Sequence, residues 1–92
     1  MKYVLLGNIA PGWATKQSER STQALAKCEQ LSIKIESLYY TQGPYDFVAI
    51  CDAADAEAGL AMSMWYADKG YGRIQTMPAF DSQTMERAAG KL

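Results

Sequence analysis

The residues best suited to chemistry crowd into one stretch, YYTQGPYDFVAICDAAD, from Tyr39 to Asp55. Tyr40 and Asp46 flank a turn, with Tyr39 and Tyr45 beside them. An Asp early in a largely apolar strand has two readings. In the first, Asp46 satisfies turn backbone groups through local hydrogen bonds, the usual work of a short polar side chain near a turn. In the second, it is a polar anchor or base at the mouth of an apolar pocket, assisted by a Tyr hydroxyl, because pockets combine apolar walls with few polar groups. Trp13 and Trp65 are the other outliers. Trp13 sits in a loop, where it caps the sheet end or lines a pocket entrance. Trp65 and Tyr66 are adjacent on a helix and cannot both face one core direction. One of them is expected to pack inward and the other to reach a partner or cleft. Packing is the simpler account of all three, since aromatics contribute large buried area wherever they land. The ligand-binding candidates are therefore Tyr40, Tyr45, Asp46, Trp13 and Trp65, and no residue is assigned a catalytic role.

What is missing narrows the chemistry further. The chain has no histidine. That removes Ser-His and Cys-His nucleophile pairs, His-ligated zinc and His-ligated haem. Acid-base work would fall to Asp, Glu, Tyr, Lys or Cys. Cys28 and Cys51 are the only cysteines, and their separation makes no disulfide framework. They read as reduced, buried, small apolar side chains. Asp52 and Asp55 stand at a helix entrance and suggest capping rather than a hard-cation site, which needs about six oxygens. No metal or cofactor is expected. Nine basic and ten acidic residues leave no electrostatic footprint for nucleic acid. No window approaches a membrane span. The run Tyr3 to Leu6 is too short for a signal-peptide core. A cytoplasmic protein is the expectation.

These residues must be positioned by a small number of elements. The 92 residues make one domain, residues 1–92, with a small core. Strand one is expected over 2–8. The turn signal Pro11-Gly12 follows. A helix then runs from about Thr15 or Ser18, both plausible N-caps, to Gln30. Leu25, Cys28 and Leu31 mark its apolar spacing. Its first half, Lys16 to Gln23, is polar and is expected to project into water or touch a partner. Strand two spans about 32–41, with a broken alternation after Ser37. Strand three starts at Tyr45. A second helix starts near Asp55, carries Leu60, Ala61, Met64 and Ala67 as its buried stripe, and stops at Gly70. Strand four spans 72–80. Asp81 or Ser82 then caps a short helix through Ala89.

The order βαββαβ with a C-terminal helix fits an α+β, ferredoxin-like sandwich with an antiparallel sheet. Strands one and three fall at the centre, two and four at the edges. Strand three is apolar on both sides, with Tyr45, Phe47, Ala49 and Cys51 on one and Val48 and Ile50 on the other. A sheet with one solvated face alternates apolar and polar residues. The face without helices therefore needs a cover, and a second copy is the simplest one. The expectation is a homodimer through that face, forming a dimeric α+β barrel.

Gly43, Tyr45 and Asp46, preceded by Tyr40-Thr41, resemble the signature hairpin of the GYD domain family, small bacterial proteins. Phe47-Val48-Ala49-Ile50 resembles the family's third strand. Asp55 and Glu57 resemble the acidic opening of its second helix, and Thr76 with Ala79-Phe80 the end of its fourth strand. Pro44, Cys51, Ala54 and the Met64-Trp65-Tyr66 cluster depart from the pattern. The resemblance implies a dimeric α+β barrel and no established activity. Two functions remain open. One is a non-enzymatic module that binds a small apolar or aromatic molecule, or that regulates through interaction. The other is a small cofactor-independent enzyme, an oxygenase or isomerase, using a Tyr/Asp site in the barrel. The second rests on analogy of fold alone.

Overall fold

Apolar strands and two helices with apolar residues to bury set the layers. The computed structural model describes all 92 residues. Strand β1 covers Lys2–Ile9, α1 Gln17–Gln30, β2 Ile33–Tyr40, β3 Phe47–Ala53, α2 Ala56–Asp68, β4 Gly72–Pro78 and α3 Ser82–Ala89. A single 3-10 turn, Pro11–Trp13, joins β1 to α1. The four strands form one antiparallel sheet in the order β2-β3-β1-β4. This is the ferredoxin-like α+β arrangement expected from the sequence, with β1 and β3 central. No helix is long and apolar enough to cross a membrane.

The pleat sorts the strand residues by face. Tyr3, Leu5, Phe47, Ala49, Cys51, Ala53 and Ile33 are buried beneath the helices, with Cys28 from α1 and Met62 and Tyr66 from α2. Gly7 belongs to the same face. A Cβ there would lie 1.9 Å from the Phe47 ring, so the ring fills the space a side chain would need. The opposite face presents Val4, Leu6, Val48, Ile50 and Met77 beside one another across β4, β1 and β3. Ile50 and Met77 are exposed there.

Three details differ from the sequence expectation. The α1 helix begins at Gln17, and Lys16 holds the N-cap position without a side-chain bond. Neither Thr15 nor Ser18 caps it. The 3-10 turn sets the start instead, through the Lys16 N–H to the Trp13 carbonyl at 3.1 Å. On α2 the buried stripe is Gly59, Met62 and Tyr66, while Leu60 and Met64 are more than 60% exposed. The helix is apolar nearly all round, so periodicity did not decide its rotation. Tyr66 brings more apolar area than Leu60 or Met64 and turns the helix toward Phe47 and Tyr71. Strand β3 starts at Phe47 rather than Tyr45, leaving a connection over 41–46.

Helix ends follow ordinary capping rules. Asp55 accepts from the Ala58 N–H at 2.9 Å and Asp81 from the Thr84 N–H at 2.8 Å, which satisfies orphan donors of α2 and α3. Gly70 closes α2 at φ 74, whereas α1 is closed by Ser32 at φ 57, a residue that pays a steric penalty in this region. Helix α3 buries no residue, and Phe80 and Met85 near it are exposed. The radius of gyration is 14.3 Å, against roughly 12 Å for a compact chain of this length.

Candidate functional site

One cleft lies on the helix side of the sheet, between α1 and β2, with Phe47, Ala49 and Leu5 on its floor. Its volume is about 60 Å³, several times the space a single water needs. Twelve of its fourteen lining residues are hydrophobic, and Arg20 is the one charged residue among them. The rim is formed by Leu25, Ser21 and Tyr40, of which Leu25 and Tyr40 are exposed. Across the mouth, the Ser21 and Tyr40 hydroxyls are 3.1 Å apart and hydrogen-bonded.

Tyr40 reaches this cleft because strand β2 is irregular. Between Ile35 and Ser37 the register against β3 slips by one residue. Ile33 and Ile35 point toward the helices before the bulge, and Leu38 and Tyr40 do so after it. A one-residue slip exchanges the faces of everything downstream. Without it Tyr39 would face the cleft. Instead Tyr39 pairs with Val48 on the open face and is 68% exposed. The broken alternation after Ser37 is the trace of this bulge in the sequence.

Arg20 is the residue that sequence reasoning missed. The polar first half of α1 was expected to face water or a partner, yet Arg20 is only 3% exposed. Extending Ala24 and Cys28 back by four residues puts Arg20 on their face, which is the signal that could have found it. Its guanidinium donates to the Trp13 carbonyl at 2.9 Å and to Gln17 Oε1. No carboxylate pairs with it, since the two ion pairs of the chain join Met1 with Asp52 and Lys2 with Glu36. Buried charges are ordinarily paired.

Two phenols stand beside this cation. Burial alone would push the Tyr40 hydroxyl up, but the hydrogen bond with Ser21 and the polar side chains of Gln17 and Arg20 nearby outweigh it and lower its pKa. Tyr66 goes the other way. Burial raises it, and the nearby Arg20 opposes the rise without cancelling it. Tyr66 is 2% exposed, lines the cleft, and its hydroxyl has no protein partner. The only other buried side-chain oxygen in that condition is Thr76 Oγ1, on β4 under Gly59 and outside the cleft.

The remaining candidates occupy other places. Asp46 Oδ2 accepts from the Ile9 N–H at 2.7 Å, and the Asp46 N–H donates to the Gly7 carbonyl at 2.8 Å. Asp46 therefore serves backbone groups of β1 as well as its own hairpin, where its carbonyl accepts from Thr41. Asn8 pins the same connection by donating to the Pro44 carbonyl. The Tyr45 hydroxyl donates to Gln75 Oε1 at 3.0 Å, next to Leu6 on the open face. Trp13 packs edge-on against Tyr71 with ring centroids 4.5 Å apart. Trp65 and Tyr66 both reach that same ring, at 5.6 and 5.5 Å. The adjacent pair thus meets at Tyr71, while Tyr66, the more buried of the two, also lines the cleft. Lys16 lies over Trp13 and Lys27 over Trp65.

Both cysteines are free and buried. Burial pushes the Cys28 thiol up to about 11 and also raises Cys51, so neither is a ready nucleophile near neutral pH. No three Cys, Asp or Glu side chains converge in the fold. The chemistry on offer is a greasy cleft with a cation, two phenols and a serine hydroxyl at one end.

A search of curated proteins finds no match. Among solved structures, the chain is similar to 5-chloro-2-hydroxyhydroquinone dehydrochlorinase from Burkholderia phenoliruptrix, solved with 2,5-dihydroxybenzoquinone. The TM-score is 0.63 at 14% sequence identity, over 91% of this chain and 98% of that one. At that identity the likeness is one of fold. The GYD domain model matches residues 3–89, which covers the hairpin, both packed helices and all but the first residue of the sheet, and the chain belongs to the GYD domain family.

Proposed function

We propose that the protein is a homodimeric module that binds a small apolar or aromatic molecule in the cleft between α1 and the sheet. The observation that carries the ligand reading is the Tyr66 hydroxyl, buried in an apolar cleft without a protein partner. Such a group costs stability until something bonds it. A phenylalanine would fill the same space without that cost, so the hydroxyl is worth keeping if a ligand uses it. The dehydrochlorinase structure holds a small dihydroxylated ring on the same fold, which supports a ligand of that size. The enzyme alternative has no set of nucleophile, base and orienting group behind it.

The dimer reading rests on the open face. Val4, Leu6, Val48, Ile50 and Met77 form a contiguous apolar patch that no helix of this chain covers. A second copy presents the same patch, and a two-fold pairing is self-complementary. A stable interface of this kind buries roughly 1,200–2,000 Å² in total. The reading includes a bacterial cytoplasmic setting, which suits two free thiols.

Native mass spectrometry of the protein purified from its own host tests both parts. The expected result is twice the chain mass with a small molecule retained. A monomer at micromolar concentration refutes the dimer. A dimer that never retains or takes up a ring-sized compound refutes the ligand reading. Val48→Glu is expected to give folded monomers, since it sets a carboxylate at the centre of the paired faces.

A further inference from the structure

Arg20 gives the cleft a chemical preference beyond size and greasiness. Its guanidinium has five N–H donors in a planar fork, and it meets the Trp13 carbonyl and Gln17 Oε1, both uncharged acceptors. It is 97% buried by its 3% exposure, and no carboxylate of the chain neutralises it. Tyr66, whose buried hydroxyl has no protein hydrogen-bond partner, lines the same cleft as Arg20. Tyr40 and Ser21 meet across the mouth through an exposed hydrogen bond. A buried cation, an idle buried phenol and an apolar floor are together a receptor for a flat molecule with one negatively charged oxygen.

We propose that Arg20 is the charge partner for a carboxylate or phenolate oxygen on a small ring compound, with Tyr66 donating to the same oxygen. The ring lies over Phe47, Ala49 and Leu5. This rests on the ligand reading of the cleft and adds the chemical class: an aromatic acid or an acidic phenol rather than a neutral aromatic. Arg20 is the specificity-determining residue, because a cation that is already desolvated gains most from an anion.

The test compares matched pairs by isothermal titration calorimetry on the purified protein. Benzoate is set against benzamide, and ionised 4-nitrophenol against nitrobenzene, at one ionic strength. The expected result is that each anion binds roughly ten-fold or more tightly than its neutral partner, the scale of one charge-assisted hydrogen bond. If benzoate alone shows the preference, the anion is a carboxylate; if 4-nitrophenol alone shows it, a phenolate. Arg20→Met is expected to abolish the preference, and Arg20→Lys to keep part of it, since a lysine keeps the charge and loses the fork. Far-ultraviolet circular dichroism and urea midpoints show whether each variant folds. If Arg20→Met does not fold, the wild-type pairs and Arg20→Lys still decide.

Equal binding of anion and neutral partner by the wild type overturns the anion site and leaves a neutral-ligand cleft standing. No binding by any of the four compounds overturns the cleft reading itself, and the anion site with it. An anion preference that survives unchanged in folded Arg20→Met also overturns the proposal and assigns Arg20 to holding the Trp13 carbonyl.

Discussion

Tyr66→Phe is expected to stabilise the protein. The ring sits 6.0 Å from Phe47 and 5.5 Å from Tyr71, centroid to centroid, and a phenylalanine keeps both contacts. What leaves is a hydroxyl with no protein partner in a residue that is 2% exposed. Burying a hydroxyl without a hydrogen bond costs about 1–3 kcal/mol by protein substitution data. Removing the oxygen also loses a few dispersion contacts, each worth only ~0.1–0.2 kcal/mol. The net gain works out at about 1 kcal/mol, near the lower end of the burial cost. For a domain of this size that raises Tm by roughly 4–8 °C. Urea denaturation should show a higher midpoint with an unchanged slope, since the surface exposed on unfolding is the same. Tyr40→Phe is the control: its hydroxyl is bonded to Ser21 at an exposed mouth, and its loss should shift stability by less than about 0.5 kcal/mol. A Tyr66→Phe variant destabilised by about 1 kcal/mol or more, at constant slope, would mean that the hydroxyl is satisfied in the free protein, and the argument for a waiting ligand would fall.

Other substitutions probe the frame around the cleft. Asp46→Ala removes the acceptor of the Ile9 N–H and should cost about 1.5–3 kcal/mol, the range for a bond to a charged group. Asp46→Asn should cost less than half of that because its amide oxygen can still accept, and equal losses in the two variants would refute the backbone role. Ser32→Gly relieves a side chain held at φ 57 and is expected to gain about 0.5–1 kcal/mol; a loss in chemical denaturation would show that the Ser32 side chain does other work. Cys28 moves from an ordinary 9.0 to about 11 on burial, so the folded state holds its proton longer than the unfolded chain does. Its contribution is fully present below pH 9 and lost as pH rises to 11, about 1.4 kcal/mol per pH unit across that window. Tyr66, also raised by burial, adds to the loss at the upper end. A pH series of urea midpoints with wild type and Cys28→Ala checks this, and identical alkaline slopes in the two would refute it.

Much of the frame was legible from residue type and order. Runs of β-favouring residues placed β1 and β3, and right-handed crossovers put them at the centre of the sheet. Asp55 and Asp81 announced the starts of α2 and α3, and Gly70 announced the end of α2. The hairpin residues Gly43, Tyr45 and Asp46 carried the family. These features are local, set by a cap, a turn or a period of two, and so they survive being read one segment at a time. The rotation of α2 was not legible, because a helix apolar on nearly every side leaves its orientation to whatever it packs against. Nor was the start of α1, since a 3-10 turn with a free carbonyl can replace a capping side chain.

The cleft itself came from tertiary structure. Tyr40 belonged to the sequence's list of candidates, but its direction depends on the bulge between Ile35 and Ser37, which a period of two cannot place to the residue. Asp46, from the same list, is drawn to the Ile9 N–H of a strand 37 residues away. Arg20 read as solvated because its neighbours in sequence are polar; it is buried because α1 lies on the sheet with residues 20, 24 and 28 inward. Sequence by itself determined which residues form strands and helices, because those preferences act over a few bonds. Which polar groups end up desolvated together was decided only when the helices met the sheet, because desolvation depends on what stands opposite in space and not on what stands next in the chain.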